Sequence, residues 1–318
     1  PRHGRIDGEH AAADDLVVLA DGDVAVADLA CPANGQAVYC LDSRTGGVLA
    51  VDPAVPRSVR VVVGPCPADG PRPLAIACLD TNTLAAVCRA GEAWSVRTWR
   101  LRPDGPVEHA APLQEAALGG GAATDGPVHL IAGLSRDWLV VAGLPPPLPP
   151  LMRAAVAGVR VGRWSDHGCP EPPEAGAVVA VAASPPDDLV AFVGRGAAAR
   201  LAVHGLGGRR LLDLECGLPN IRDAACCRSD GTLWAIGGDR ADSARPEGLW
   251  RIDAALEGGR QVVRPTCVAR LADPRAVACV SNSSVVVAHG DGGRRLVRFD
   301  LVPRRPAAPT AAPEGDGR

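Results

Sequence analysis

Short apolar runs recur along the whole chain, each bounded by Gly, Asn, Asp, Ser or Pro. One column stands out: Ala-Val-Ala-Asp-Leu-Ala-Cys31, Leu-Ala-Ile-Ala-Cys78, Leu-Ile-Ala-Gly133, Val-Ala-Val-Ala-Ala183, Asp-Ala-Ala-Cys-Cys227 and Ala-Val-Ala-Cys279. Each run ends in a small residue, and successive copies lie 44 to 55 residues apart. Shortly after each copy a second apolar run follows: Val38–Cys40, Leu84–Val87, Leu139–Val141, Leu189–Phe192, Leu233–Ile236 and Val285–Val287. Turn residues such as Asn34-Gly35, Asp80–Asn82, Asp230-Gly231 and Asn282-Ser283 separate the two, and they tolerate the backbone of a tight hairpin.

Third runs alternate apolar and polar positions, which marks a strand with one wet face. They are Val48–Val51, Val96–Leu101, Val159–Val161, Arg200–Val203, Leu249–Ile252 and Leu296–Phe299. Weaker fourth runs are Val59–Val63, Val107–Ala110, Leu211–Leu214 and Gln261–Val263. Four antiparallel strands repeated about every fifty residues are the pattern of a propeller blade. The expectation is an all-β, six-bladed β-propeller over residues 1–302. The last blade lacks a fourth run, so Leu16–Leu19 is expected to close the ring beside Leu296–Phe299, which removes an open sheet edge. Residues 303–318, rich in Pro, Ala and Gly, are expected to form a disordered tail. Small column residues imply packing near the axis, where blades converge.

Blade one, Gly35–Pro53, with Asp-Ser-Arg-Thr-Gly-Gly between two β runs and Asp52-Pro53 after them, resembles NHL and YVTN propeller repeats. Blade five, with Gly237-Gly238 and then Leu249-Trp-Arg-Ile252, is similar to a kelch repeat. The resemblance implies a platform for ligands or proteins and transfers no catalytic residue.

Composition alters this picture little. All 33 basic residues are Arg, against 36 acids and a net charge of −3. Residues with AT-rich codons are scarce throughout, so the Arg excess reads as codon bias, and no basic footprint for nucleic acid is present. No apolar run reaches the ~20 residues of a membrane-crossing helix, and the N-terminus shows no secretory signal. A cytoplasmic location is therefore expected. Eleven Cys occur without a C-x-x-C spacing, which argues for packing rather than zinc or redox chemistry, although Cys226-Cys227 leaves a redox role open.

The starts of the innermost strands would line an axial funnel. They offer Asp23, Arg72, His129, Asn220 or Arg222 with Asp223, and Arg275. Three Arg in that company disfavour a cation site, so neither a metal nor a cofactor is expected. Arg72, His129, Arg222, Asp223 and Arg275 are instead candidates for holding an anionic group, unless each Arg pairs with a nearby Asp, as Arg222 with Asp223 or Arg275 with Asp273. No residue set points to nucleophilic catalysis: Ser135 lacks a G-x-S-x-G elbow, and Asp166-His167 sits in one loop with Cys169. Two insertions, Gly143–Met152 and Gly238–Gly248, fall between second and third strands. Leu144, Pro147, Leu148, Leu151, Arg153, Arg240 and Arg245 on them are candidates for protein contact, with Trp94, Trp138 and Trp164 as exposed anchors. The leading expectation is a non-catalytic scaffold that binds protein partners in a larger assembly. The alternative is a small-ligand binder or lactonase-type hydrolase using the funnel.

Overall fold

The computed structural model describes residues 11–18, 24–32, 34–55, 57–102, 105–121, 128–132, 138–145, 148, 151–155, 160–163, 178–184, 188–193, 200–204, 210–227, 231–257, 260–281 and 284–301. Blade one comprises β2 (Val26–Ala30), β3 (Val38–Asp42), β4 (Val48–Val51) and β5 (Val59–Val63); β1 (Ala11–Val18) precedes it. Blade two comprises β6 (Arg72–Cys78), β7 (Thr83–Ala90), β8 (Ala93–Arg100) and β9 (Gln114–Gly120). Blade three comprises β10 (His129–Ala132), β11 (Trp138–Ala142), β12 (Leu151–Ala155) and β13 (Arg160–Arg163). Blade four comprises β14 (Val178–Ser184), β15 (Asp188–Val193), β16 (Arg200–His204) and β17 (Arg210–Glu215). Blade five comprises β18 (Asp223–Cys226), β19 (Leu233–Gly237), β20 (Gly248–Glu257) and β21 (Arg260–Arg270), and blade six β22 (Ala276–Ser281), β23 (Ser284–His289) and β24 (Arg295–Leu301).

These strands form six four-stranded antiparallel sheets in sequence order, except that β1 supplies the outer strand of blade six. It pairs with β24 in the register Ala13↔Phe299 and Val17↔Leu296, so an N-terminal strand closes the ring as expected, but it begins at Ala11, upstream of the Leu16–Leu19 run, and Leu296–Phe299 lies beside Ala13–Val17. The inner strands β2, β6, β10, β14, β18 and β22 contact one another in that order, and β22 returns to β2. The chain is therefore a closed six-bladed β-propeller.

Packing explains the residue choice. Core clusters lie between neighbouring blades: Tyr39, Leu41 and Val62 meet Ile76, Leu84 and Trp99 between blades one and two. Trp234 and Ile236 meet Val285, Val297 and Phe299 between blades five and six. On the inner strands many buried residues are small, Ala75, Ala77, Ala180, Ala182, Ala224, Ala276 and Ala278 among them, beside the larger Leu29, Ile76 and Leu130. The large fully buried rings, Trp94, Trp99, Trp234 and Phe299, sit farther out on second and third strands, where the wedge between sheets widens. No disulfide joins the described cysteines. Cys31 donates to the Ala37 carbonyl at 3.3 Å and Cys226 to that of Gly231 at 3.4 Å, so both thiols brace first hairpins. Burial pushes the Cys216 and Cys267 thiols up to about 11, which keeps them protonated and unreactive.

Two strand assignments differ from the sequence reading. The fourth strand of blade two is Gln114–Gly120, whereas Val107 crosses to blade one and pairs in parallel with Val63. Gly64 donates to the Val107 carbonyl at 2.9 Å, and Val107 to that of Val62 at 2.8 Å. In blade three the third strand is Leu151–Ala155, and the Arg160–Arg163 strand is the fourth. The tail 303–318 lies outside the described residues.

Candidate functional site

Inner strands leave one backbone edge facing the axis, where no further strand can satisfy their N–H groups. Two aspartates meet this need in the same way. Asp28 Oδ2 accepts the N–H of Ile76 on the next blade at 2.8 Å, and its Oδ1 that of Leu29 at 2.8 Å. Asp223 Oδ2 accepts the N–H of Val277 on the next blade at 2.8 Å, and its Oδ1 that of Ala224 at 2.8 Å. Blades one and five are thus each stapled to their successor by a carboxylate.

The carboxylates also face each other's charge. Burial and then repulsion from Asp223 hold the Asp28 carboxyl well above the usual carboxylate range, against the pull of its two N–H donors. Burial raises Asp223 to about 7, again against its two donors. His129, the first residue of β10, places Nδ1 3.8 Å from Asp223 Oδ1. Alternate blades one, three and five therefore contribute two carboxyls and an imidazole near the starts of their inner strands. Ala27, beside Asp28, is exposed although it lies on an innermost strand, so solvent reaches the axis there.

Around this floor, blades five and six build a charged rim. Arg222 reaches Glu247 at 2.9 Å and Asp273 at 3.1 Å, and donates to the Pro274 carbonyl at 3.1 Å. Arg240 binds the other oxygen of buried Glu247 at 2.5 Å. Arg275 binds Asp273 at 2.9 Å. Partial burial would raise Asp273, but Arg275 and Arg222 outweigh it and hold the carboxyl below its ordinary value. Arg275 thus takes its expected neighbour, whereas Arg222 passes over Asp223 for the loops on either side of it. Asp239 and Asp242 close the inserted loop by accepting from Ala241 and Ala244. Gly238, at φ +105°, lets that loop fold back: a Cβ there would stand 2.2 Å from the Pro246 carbonyl oxygen.

Arg72 lies over blade one. It donates through Nη2 to the carbonyls of Ser43 and, at 3.1 Å, Arg44. That turn is itself fixed by buried Asp42, which accepts from Ala25 and Arg44 at 3.0 Å and from the Thr45 hydroxyl at 2.6 Å. The Asp-Ser-Arg-Thr-Gly segment of blade one is therefore a turn-locking device.

The proline-rich insertion behaves differently from expectation. Leu144 is buried and Leu148 half-buried in the core cluster between blades two and three, and Leu148 lies against Gly119 of β9. Their apolar side chains are consumed by the protein's own core. Trp94, expected as an exposed anchor, is 1% exposed and donates through Nε1 to the Gly121 carbonyl at 3.1 Å. Asp23, Ser135, Pro147, Trp164, Asp166, His167 and Cys169, and the side chains of Trp138, Leu151 and Arg153, lie outside the described residues. Arg245 packs near Gly217. Among the described residues no three His, Cys, Asp or Glu side chains form a metal-holding group.

Sequence reading missed Asp28. Its signal was present: one carboxylate inside an otherwise apolar inner run, where burial demands a partner.

No family model and no curated protein matches the sequence, so the NHL-, YVTN- and kelch-like stretches remain local likenesses. Solved structures do match the fold. The PQQ-bound aldose sugar dehydrogenase of Streptomyces coelicolor superposes with a TM-score of 0.58 at 15% identity, over 93% of this chain and 99% of that one. Virginiamycin B lyase of Staphylococcus aureus gives 0.55 at 11% identity, over 92% and 100%. The gluconolactonase XC5397 of Xanthomonas campestris gives 0.55 at 13%, over 92% and 90%. The chain shares a whole six-bladed ring with these enzymes, and at such identities the likeness concerns the fold.

Proposed function

We propose that this propeller binds a small molecule at its axial mouth and acts on it as a hydrolase of the lactone or ester class. The observation that carries the reading is the placement of His129 Nδ1 3.8 Å from Asp223 Oδ1 beside a second axial carboxyl, Asp28. An acid–base pair is useful near neutrality when its pKa values lie there, and Asp223, raised to about 7, meets that condition. In the proposed step the pair takes a proton from water as its oxygen bonds to the ester carbonyl. The same proton then passes to the departing alkoxide oxygen, giving acid and alcohol with no other reactant.

The fold neighbours are named for activities on small molecules, an aldose and virginiamycin B among them, which supports an axial small-molecule site by fold alone. The scaffold reading draws less support, because two of its candidate contact residues, Leu144 and Leu148, pack against the core. A panel of sugar lactones and activated esters tests the reading. Turnover by the wild type that disappears in Asp223→Asn and His129→Asn supports it, and equal turnover in both variants sinks it.

A further inference from the structure

We propose that Arg72 and Arg89 form an oxyanion-binding subsite at the mouth of blade two, which selects substrates bearing a carboxylate or phosphate. The two are direct cross-strand partners on β6 and β7. Like charges placed opposite one another destabilise a sheet, so the pair needs compensation. None comes from the described residues. The Arg72 guanidinium is held by the neutral carbonyls of Ser43 and Arg44. The Arg89 guanidinium lies 5.7 Å from the Trp94 ring centroid, and its buried Nε has no hydrogen-bond partner. Among the described residues no carboxylate pairs with either, in contrast to Arg97, Arg222, Arg240 and Arg275, which all have one.

Both arginines line a cavity of about 200 Å³ together with Leu74 and Gly91. Gly91 presents no side chain to fill it. Carbonyls and an indole face fix the two cations without neutralising them, which is the preorganisation a forked, charge-assisted contact requires. Leu74 supplies an apolar wall for the body of the ligand. A carboxylate and a phosphate share this recognition chemistry.

The inference deepens the axial reading and rests on it for the word substrate, but binding is measurable without turnover. Calorimetric titration of the purified chain at low ionic strength, with inorganic phosphate in one arm and gluconate in the other, is the test. At least one should bind with a Kd below ~10 mM. Arg89→Gln and Arg72→Gln should each weaken binding about tenfold or more, and Arg89→Lys, which keeps the charge and loses the fork, should fall between. Thermal melts identify any variant that fails to fold, in which case the Lys variant carries the comparison. Absence of heat in both arms, or unchanged affinity in the Gln variants, overturns the subsite. Asp223→Asn separates the two readings, because it should abolish turnover and leave anion binding intact.

Discussion

Asp28 and Asp223 occupy equivalent places in blades one and five: each carboxylate joins its own blade to the next by accepting an inner-strand N–H at 2.8 Å. Replacing either by Ala leaves that N–H buried and unpaired. Each Ala variant should lose about 1–3 kcal/mol of stability. Urea denaturation followed by intrinsic fluorescence checks this, and a loss within experimental error would show that water replaces the staple.

The same carboxyls give stability a particular pH dependence. The unfolded chain releases the Asp223 proton near the ordinary value of 3.8, whereas the fold retains it to about pH 7. Across that window the native state binds more protons, so stability should fall as pH rises, by up to about 1.4 kcal/mol per pH unit for each such group. Above pH 7 the Asp223 contribution is constant. Asp223→Asn should flatten the slope in melts taken between pH 4 and 7, and an unchanged slope would remove Asp223 from the account.

His109 works in the opposite sense. It is 2% exposed, its ring lies 5.4 Å from that of Trp99, and neither ring nitrogen has a partner. Burial and then the charge of Arg97 hold its pKa below 6.5. Below that pH the unfolded chain takes up the proton first, so stability is lost as pH falls. Because His109 follows the parallel Val107 strap, acid should loosen that strap from β5 before the ring opens. Hydrogen exchange of the 105–111 amides at pH 5 and 7 reads this, and His109→Leu should make the two rates ratios alike once intrinsic chemistry is corrected.

Buried Glu247 pairs with both Arg222 and Arg240, and its Oε2 also accepts the Asp273 N–H at 3.3 Å. Glu247→Gln keeps the shape and removes the charge. The exposure of both arginines limits the cost, so a loss of about 1–2 kcal/mol is expected. A thermal shift checks it, with Asp239→Asn, which bonds only within its loop, as a surface control.

Removing residues 1–18 should bare the β24 edge along its whole length. The truncated protein should associate at micromolar concentration, visible by light scattering, and a soluble monomer with an unchanged melt would deny β1 its closing role.

The ring was legible because its column residues are small wherever blades converge, and because hairpin signals recur at fixed intervals. The errors have local causes. Gln-Glu-Ala-Ala-Leu-Gly-Gly of β9 is made largely of good helix formers and becomes a strand only through pairing with β8. Val107–Ala110 carries the alternation of a strand and is used as a strap. Of the axial cluster, His129 and Asp223 were visible as polar residues opening inner strands. Arg89 was not, because its relation to Arg72 exists only through the β6–β7 register.

The pairing Ala11↔Leu301 means that the ring's first strand is completed by its last. At bacterial or eukaryotic ribosomal speeds, roughly 15–60 s separate their synthesis. For that interval blades one to five can assemble while both prospective edges stay open, so the nascent chain spends its elongation with β1 waiting for a partner. Slow codons late in the message would lengthen this exposure, and a circular permutation that places the ends in the β20–β21 hairpin would move it to another blade.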